Sequence, residues 1–190
     1  MSSDLLVVLD ACVMVPAALR DTLLRLAEAP RLYLPRWSDE IISEMARTLE
    51  HEIGLTPQKT AHLVSELKTH FGEAWVTGYE TLLSQVANDP DDRHVLAVAI
   101  KCGVPVIVTY NRRHFPQTAL EPWGIEVQGP SAFLKDHYNL NPDVVIDKLQ
   151  AQAENLGRAL PELLRVLKRV VPSFVTILAA DLGINIEVEK

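Results

Sequence analysis

The chain has 190 residues, 48% hydrophobic and 23% charged, enough for one globular domain with a sizeable core and a small appendage. Its formal net charge of −7 argues against general affinity for nucleic acid, because phosphate binders usually present an excess of Lys and Arg. Two cysteines, Cys12 and Cys102, exclude a disulfide framework and are expected as buried thiols, while Met1-Ser2-Ser3-Asp4 carries no basic stretch and Asp10 and Pro16 interrupt the apolar residues from Leu5 to Leu19, so neither a leader nor a membrane span is predicted and a soluble cytoplasmic protein is expected.

In chain order, Leu5 to Leu9 is a short apolar run without polar alternation, as a parallel strand covered on both faces requires, and Asp10 ends it. Residues 17 to 29 are predicted to be a helix through Leu19, Leu23, Leu24 and Leu26, stopped by Pro30. Tyr33-Leu34-Pro35 is expected as a brief extended link. Ser38 is a good helix cap with Asp39 and Glu40 in the first turn, and Ile41, Ile42, Met45 and Leu49 supply an apolar face. Thr56-Pro57 opens another helix by the cap-then-proline rule, carrying Leu63, Val64, Leu67 and Phe71 inward. Asp89-Pro90 repeats that signal before a helix that is apolar almost all round from Val95 to Ile100 and is ended by Gly103. Val104 to Thr109 is the second clear core strand, and Ile125-Glu126-Val127-Gln128 alternates as an edge strand does. This alternation of helices and strands predicts a parallel sheet. After Gly129-Pro130, helix starts at Ser131, Asn141-Pro142, near Pro161 and near Ser173 predict a helical appendage.

Four acidic or amide positions stand at the ends of apolar strands or the starts of helices: Asp10, Glu44, the Asp89-Pro90-Asp91-Asp92 cluster and Asn111. Open α/β sheets place their ligand sites at the carboxyl ends of strands, where Asp10 and Asn111 fall. Each position has a structural alternative. Asp10 could cap the following helix. At ~100° per residue Glu44 falls at the margin of the apolar stripe, from which it reaches inward or lies along the core with a wet carboxylate. Asp89, Asp91 and Asp92 suit the positive end of a helix, with Asp89 read as the cap. Asp92 shares a face with Leu96 and Ala99, where a carboxylate is costly without a partner, and a metal is one such partner. Asn111 serves equally as a turn former. Arg112, Arg113 and His114 could bind phosphate or form a solvated surface, with His114 a weaker candidate for a general base. Carboxylates gathered in this way suit Mg²⁺ or Mn²⁺, ions that stabilise charge on a phosphodiester under attack, and a metal-dependent nuclease is the leading reading. Such an ion, with Arg93, Arg112, Arg113 and His114 close by in sequence, would offset part of the negative field. Histidine spacings for a zinc hydrolase, phosphate loops, dinucleotide fingerprints and the serine elbow are all missing.

The blocks Val8-Leu9-Asp10-Ala11-Cys12-Val13, Ser38 to Glu44, Asp89 to Ala97 and Ile107 to Phe115, in this order, resemble a PIN domain, and among PIN domains the VapC ribonuclease toxins of bacterial toxin–antitoxin pairs. The resemblance covers about residues 4 to 137. It implies a three-layer α/β/α sandwich with a central parallel sheet over residues 1–138, a helical carboxyl-terminal extension over 139–190, and a Mg²⁺- or Mn²⁺-dependent endoribonuclease. Asp10, Glu44 and Asp92 match the family's acidic metal-binding positions, and Asn111 the fourth catalytic position, where the family has Asp or Asn. Arg112 and Arg113 are the expected substrate contacts. A cognate antitoxin and a homodimer are expected from the resemblance alone. Cys12 stands where many members have Ser, Thr or Asn, so a hydroxyl or amide contact is missing there, and His114 stands where a further acid is frequent.

Two other readings compete. An aspartyl-phosphate phosphotransferase needs a second acid two residues after Asp10 and a lysine near the last strand, but position 12 is Cys and Thr109-Tyr110-Asn111 has no lysine. A non-catalytic PIN-like interaction module would not need Asp10, Glu44 and Asp92 turned inward, since unpaired buried carboxylates destabilise a fold.

Overall fold

A computed structural model describes residues 5–186. Met1–Asp4, the stretch read for its lack of basic residues, lies outside the described residues. The strands are β1 (Leu6–Leu9), β2 (Leu34–Arg36), β3 (Val106–Val108) and β4 (Glu126–Gln128). The helices are α1 (Ala11–Met14), α2 (Ala17–Ala27), α3 (Asp39–His51), α4 (Pro57–His70), α5 (Arg93–Cys102), α6 (Gln117–Leu120), α7 (Pro130–Leu140), α8 (Pro142–Asn155), α9 (Leu160–Leu167) and α10 (Pro172–Asp181). They divide into two compact units, one of residues 5–15 and 33–128, the other of 16–32 and 129–186.

The first unit holds a four-stranded, all-parallel sheet in the order β2-β1-β3-β4, the α/β class expected. Central β1 is dry: Val7, Val8 and Leu9 are fully buried, which is why this run shows no polar alternation. Helix α5 packs on β1 and β3 through Val95 to Ala99, all fully buried, and Gly103 at φ +62° ends it in the left-handed conformation. Ser38 and Thr56 cap α3 and α4 through their hydroxyls, accepting from Ile41 N at 3.3 Å and Lys59 N at 3.4 Å.

Several expectations change. Tyr33-Leu34-Pro35 is not a link, because residues 34–36 are a sheet strand paired with Leu6 to Val8. Pro35 is tolerated because β2 is an edge, where a missing N–H breaks no interior ladder. The Asp89-Pro90 start produces a 3₁₀ turn over Pro90–Asp92 before α5 begins. Helices α1 and α6, four residues each, are too short for a periodic pattern to announce them. Leu67 of α4 and Phe71 just after it are buried, while Leu63 and Val64 are only half-buried. Both cysteines are likewise half-buried rather than buried.

The second unit is helical. Helices α7 to α10 begin within one residue of the predicted starts or on them, and α8 packs against α7, α9 and α2. Its interior carries one polar knot: Thr22 donates to Gln152 Oε1 at 2.7 Å, and Gln152 Nε2 donates to the Ala18 carbonyl at 2.9 Å. Among the described residues no helix is long and apolar enough to cross a membrane.

Candidate active site

Parallel pairing sets Leu9 beside Val108, so the residues that follow each strand, Asp10 and Thr109, emerge side by side at the carboxyl edge of the sheet. The Asp10 backbone N–H donates to the Val108 carbonyl at 3.1 Å. The Asp10 carboxylate is 3% exposed and does not cap α1. Its Oδ2 instead accepts from the Thr109 hydroxyl at 2.5 Å and from the Cys12 thiol at 3.0 Å. Thr109 is fully buried and also accepts from Asn111 N at 2.9 Å, so one hydroxyl couples two predicted site residues. Sequence reasoning passed over it, since a threonine ending a strand is ordinary β chemistry. Cys12 was expected to leave a contact missing, yet its thiol donates where a hydroxyl would. Burial and then the Asp10 charge push that thiol up to about 12, so it stays protonated and keeps its donor.

Asp92, 8% exposed, stands just before α5 and its side chain does not cap that helix. His114 supplies the partner that a buried carboxylate needs: Nδ1 lies 2.6 Å from Asp92 Oδ2, to which it donates. Burial raises the Asp92 carboxyl above the usual range; the His114 hydrogen bond opposes this and the charge of Asp10 adds to it. Asp89 does cap, accepting from Asp91 N at 3.1 Å, and its backbone N–H donates to the His114 carbonyl at 3.0 Å. Ligand atoms of Asp89, Asp92 and His114 lie within 4.8 Å of one another, a grouping the sequence reading did not assemble because it gave Asp89 only a capping role.

Glu44 sits on α3 at the predicted margin, with its side chain 33% exposed, and its Oε2 lies 3.3 Å from Nε2 of buried His94. The contact has ion-pair distance but not the alignment of a hydrogen bond, which leaves Nε2 without a conventional acceptor. Burial pulls the His94 imidazole down, but Glu44, with Glu40 and Asp10 behind it, outweighs burial and the net shift is upward. His94 was also missed; on an apolar helix it has the signal of a core histidine and nothing more.

Asp10, Glu44, Asp92 and Asn111 line one pocket of about 530 Å³. Asn111 precedes a 3₁₀ turn over Arg112–His114, but its side chain makes no capping bond to that turn. Arg112 and Arg113 are exposed and neither lines the pocket. Arg112 borders a separate hollow beside β4, and Arg113 Nε donates to His114 Nε2 at 3.4 Å. Asp10 and Asp92, both nearly buried and with the charge of Asp10 helping to raise Asp92, line the pocket with Glu44 and Asn111, a set of carboxylates and one amide whose like charges are offset only in part by His114 at Asp92 and by the contact of Glu44 with His94. That chemistry fits Mg²⁺ or Mn²⁺ and suits neither a soft ion nor an anion.

The PIN domain family model matches residues 6–113, which takes in all four pocket residues. "Putative ribonuclease VapC50" of Mycobacterium tuberculosis is 32% identical over 114 residues, covering 53% of this chain and 68% of that protein. No solved structure matches the chain.

Proposed function

The chain belongs to the PIN domain family, and from that premise we propose that it is a Mg²⁺- or Mn²⁺-dependent endoribonuclease acting as the toxin of a toxin–antitoxin pair. The observation that carries the proposal is the shared pocket lined by Asp10, Glu44, Asp92 and Asn111, in which Asp10 and Asp92 are nearly buried. Asp10, Glu44 and Asp92 would hold the ion. When bound, it supplies positive charge against the charge building on the phosphodiester and makes water a better nucleophile.

The rest is placement by this chain's own groups. Thr109 and Cys12 hold Asp10 in one orientation by donating to the same oxygen. His114 does the same for Asp92 through its Nδ1 contact with Oδ2. Asn111 presents an uncharged amide to the strand, adding an oriented dipole without adding to the crowding. Arg112 and Arg113, exposed outside the pocket, contact flanking phosphates rather than the reacting one. This activity is assigned to residues 1–138, with 139–190 a helical extension, in a cytoplasmic homodimer held in check by a cognate antitoxin.

Mixed cellular RNA incubated with Mg²⁺ or Mn²⁺, and in parallel with chelator, tests the reading beside Asp10→Asn. Cutting that needs the metal and falls by at least about 100-fold in Asp10→Asn is expected, as for loss of a first ligand. Equal cutting by the variant, or cutting in chelator, refutes it.

A further inference from the structure

Of the three carboxylates in the acidic pocket, Glu44 is the one whose direction the fold fixes least. Asp10 and Asp92 are nearly buried and accept aligned hydrogen bonds, from Thr109 and Cys12 in one case and from His114 in the other. Glu44 reaches from α3 on a longer side chain that is 33% exposed, so more rotamer freedom has to be removed to hold it still. Its polar partner among the described residues is His94, with Nε2 3.3 Å from Oε2. His94 is 4% exposed and that nitrogen is enclosed with no other acceptor, so its donor is available to Glu44 alone. A leucine would fill similar space in the first turn of α5 without a ring nitrogen to bury, so packing alone gives no reason for an imidazole there. A second hollow, of about 770 Å³, adjoins the acidic pocket and shares Glu44 and Arg47 with it. That hollow suits neither sign of ion, since Arg47 and Arg93 stand in it against Glu40, Glu44 and Asp91. His94 lines the hollow and not the pocket, so from the pocket it lies behind Glu44.

We infer that His94 is a positioning residue of the metal site: its Nε2–H holds Oε2 of Glu44 from behind, leaves Oε1 for the ion, and thereby helps set which divalent cation the pocket accepts. The inference rests on the metal-dependent nuclease reading and deepens it. The contact has the distance of an ion pair without the alignment of a hydrogen bond, and a small rotation of the partly exposed carboxylate closes it. Contacts of this kind often tighten only when a site is filled. Nε2 donates both in the neutral Nε2–H tautomer and in the imidazolium, so the role does not depend on the charge of the ring. Mg²⁺ demands near-ideal octahedral geometry, whereas Ca²⁺ accepts oxygen ligands in looser arrangements. A carboxylate fixed in direction therefore favours the stricter ion, and one free to swing favours the tolerant one.

Calorimetric titration of the full chain with Mg²⁺ and with Ca²⁺ tests this apart from turnover. His94→Leu is expected to weaken Mg²⁺ binding about tenfold and Ca²⁺ binding by less than about threefold. His94→Gln, whose amide N–H reaches to the place of Nε2, recovers most of the Mg²⁺ affinity, while His94→Asn, whose amide reaches only to the place of Nδ1, does not. In a Glu44→Gln background His94→Leu adds no further loss, because a positioning residue acts through the carboxylate it holds. The Gln and Asn variants decide the matter even if the Leu variant does not fold, folding being read by thermal melting in chelator. Equal weakening of both ions, Gln no better than Asn, or a further loss in the Glu44→Gln background makes His94 a structural residue and overturns the inference. Unchanged Mg²⁺ affinity in a folded His94→Leu chain that still cuts RNA overturns it too and leaves the nuclease standing. A wild-type chain that binds neither Mg²⁺ nor Mn²⁺ overturns both readings together.

Discussion

A carboxylate as buried as Asp10 depends on its donors, and it draws them from Thr109, ninety-nine positions away, and from Cys12, two positions on. Thr109→Val keeps the shape and removes a hydroxyl that serves both Asp10 and Asn111. It is expected to cost about 1–3 kcal/mol by denaturant unfolding and to weaken Mg²⁺ binding about 10- to 100-fold by titration. Wild-type affinity in the variant would show that Asp10 needs no such support. The Cys12 thiol, pushed up to about 12, should stay unmodified by iodoacetamide at pH 8 in the native protein, read by peptide mass spectrometry. Rapid native labelling at Cys12 would contradict the hydrogen-bonded thiol. Asp10, Glu44, Asp92 and Asn111 were legible as candidates because their types are unusual where strands end and apolar helix faces begin. Thr109 and His94 were not, because their types are ordinary where they stand and only spatial neighbours give them a role.

At the scale of elements, the caps and stops follow from local chemistry and carry over into the fold almost unchanged. Ser38 is fully buried and holds the first turn of α3, the helix that presents Glu44 and Arg47. Ser38→Ala should destabilise by about 1–2 kcal/mol in urea unfolding, since it leaves Ile41 N without its acceptor. A change within error would mean water takes the role. The edge strand β2 was missed because a three-residue segment containing proline carries no strand signal of its own. It exists through pairing with β1, a partner found by the tertiary fold and not by neighbours in the chain.

At the scale of the whole molecule, two histidines give opposite pH dependences. His94 is raised in the fold, so its contribution is fully present below the ordinary imidazole value of 6.5 and is lost as pH rises through the folded value. Buried His137 is lowered, so its contribution grows as pH rises over its own range. The difference in melting temperature between the wild type and Glu44→Gln isolates the first effect. In chelator, that difference should favour the wild type more at pH 6 than at pH 8. A difference independent of pH would remove Glu44 as the cause of the His94 shift. The knot of Thr22 with Gln152 ties α2 to α8 across 130 positions, so the early helix belongs with the late ones. Nothing in residues 17 to 29 announces that, because an amphipathic stripe specifies that a face is buried and not against what.

The sequence by itself determined the α/β class, the caps, the dry central strands and the types of the pocket residues, because these depend on hydrophobic period and on chemistry within a few positions. Tertiary structure alone decided which donors hold Asp10, that His114 and His94 attend Asp92 and Glu44, that Arg112 and Arg113 stand outside the pocket while Arg47 lines it, and that two hollows share a wall. Those facts depend on which distant segments the parallel register brings together, and a linear pattern does not record distance in space.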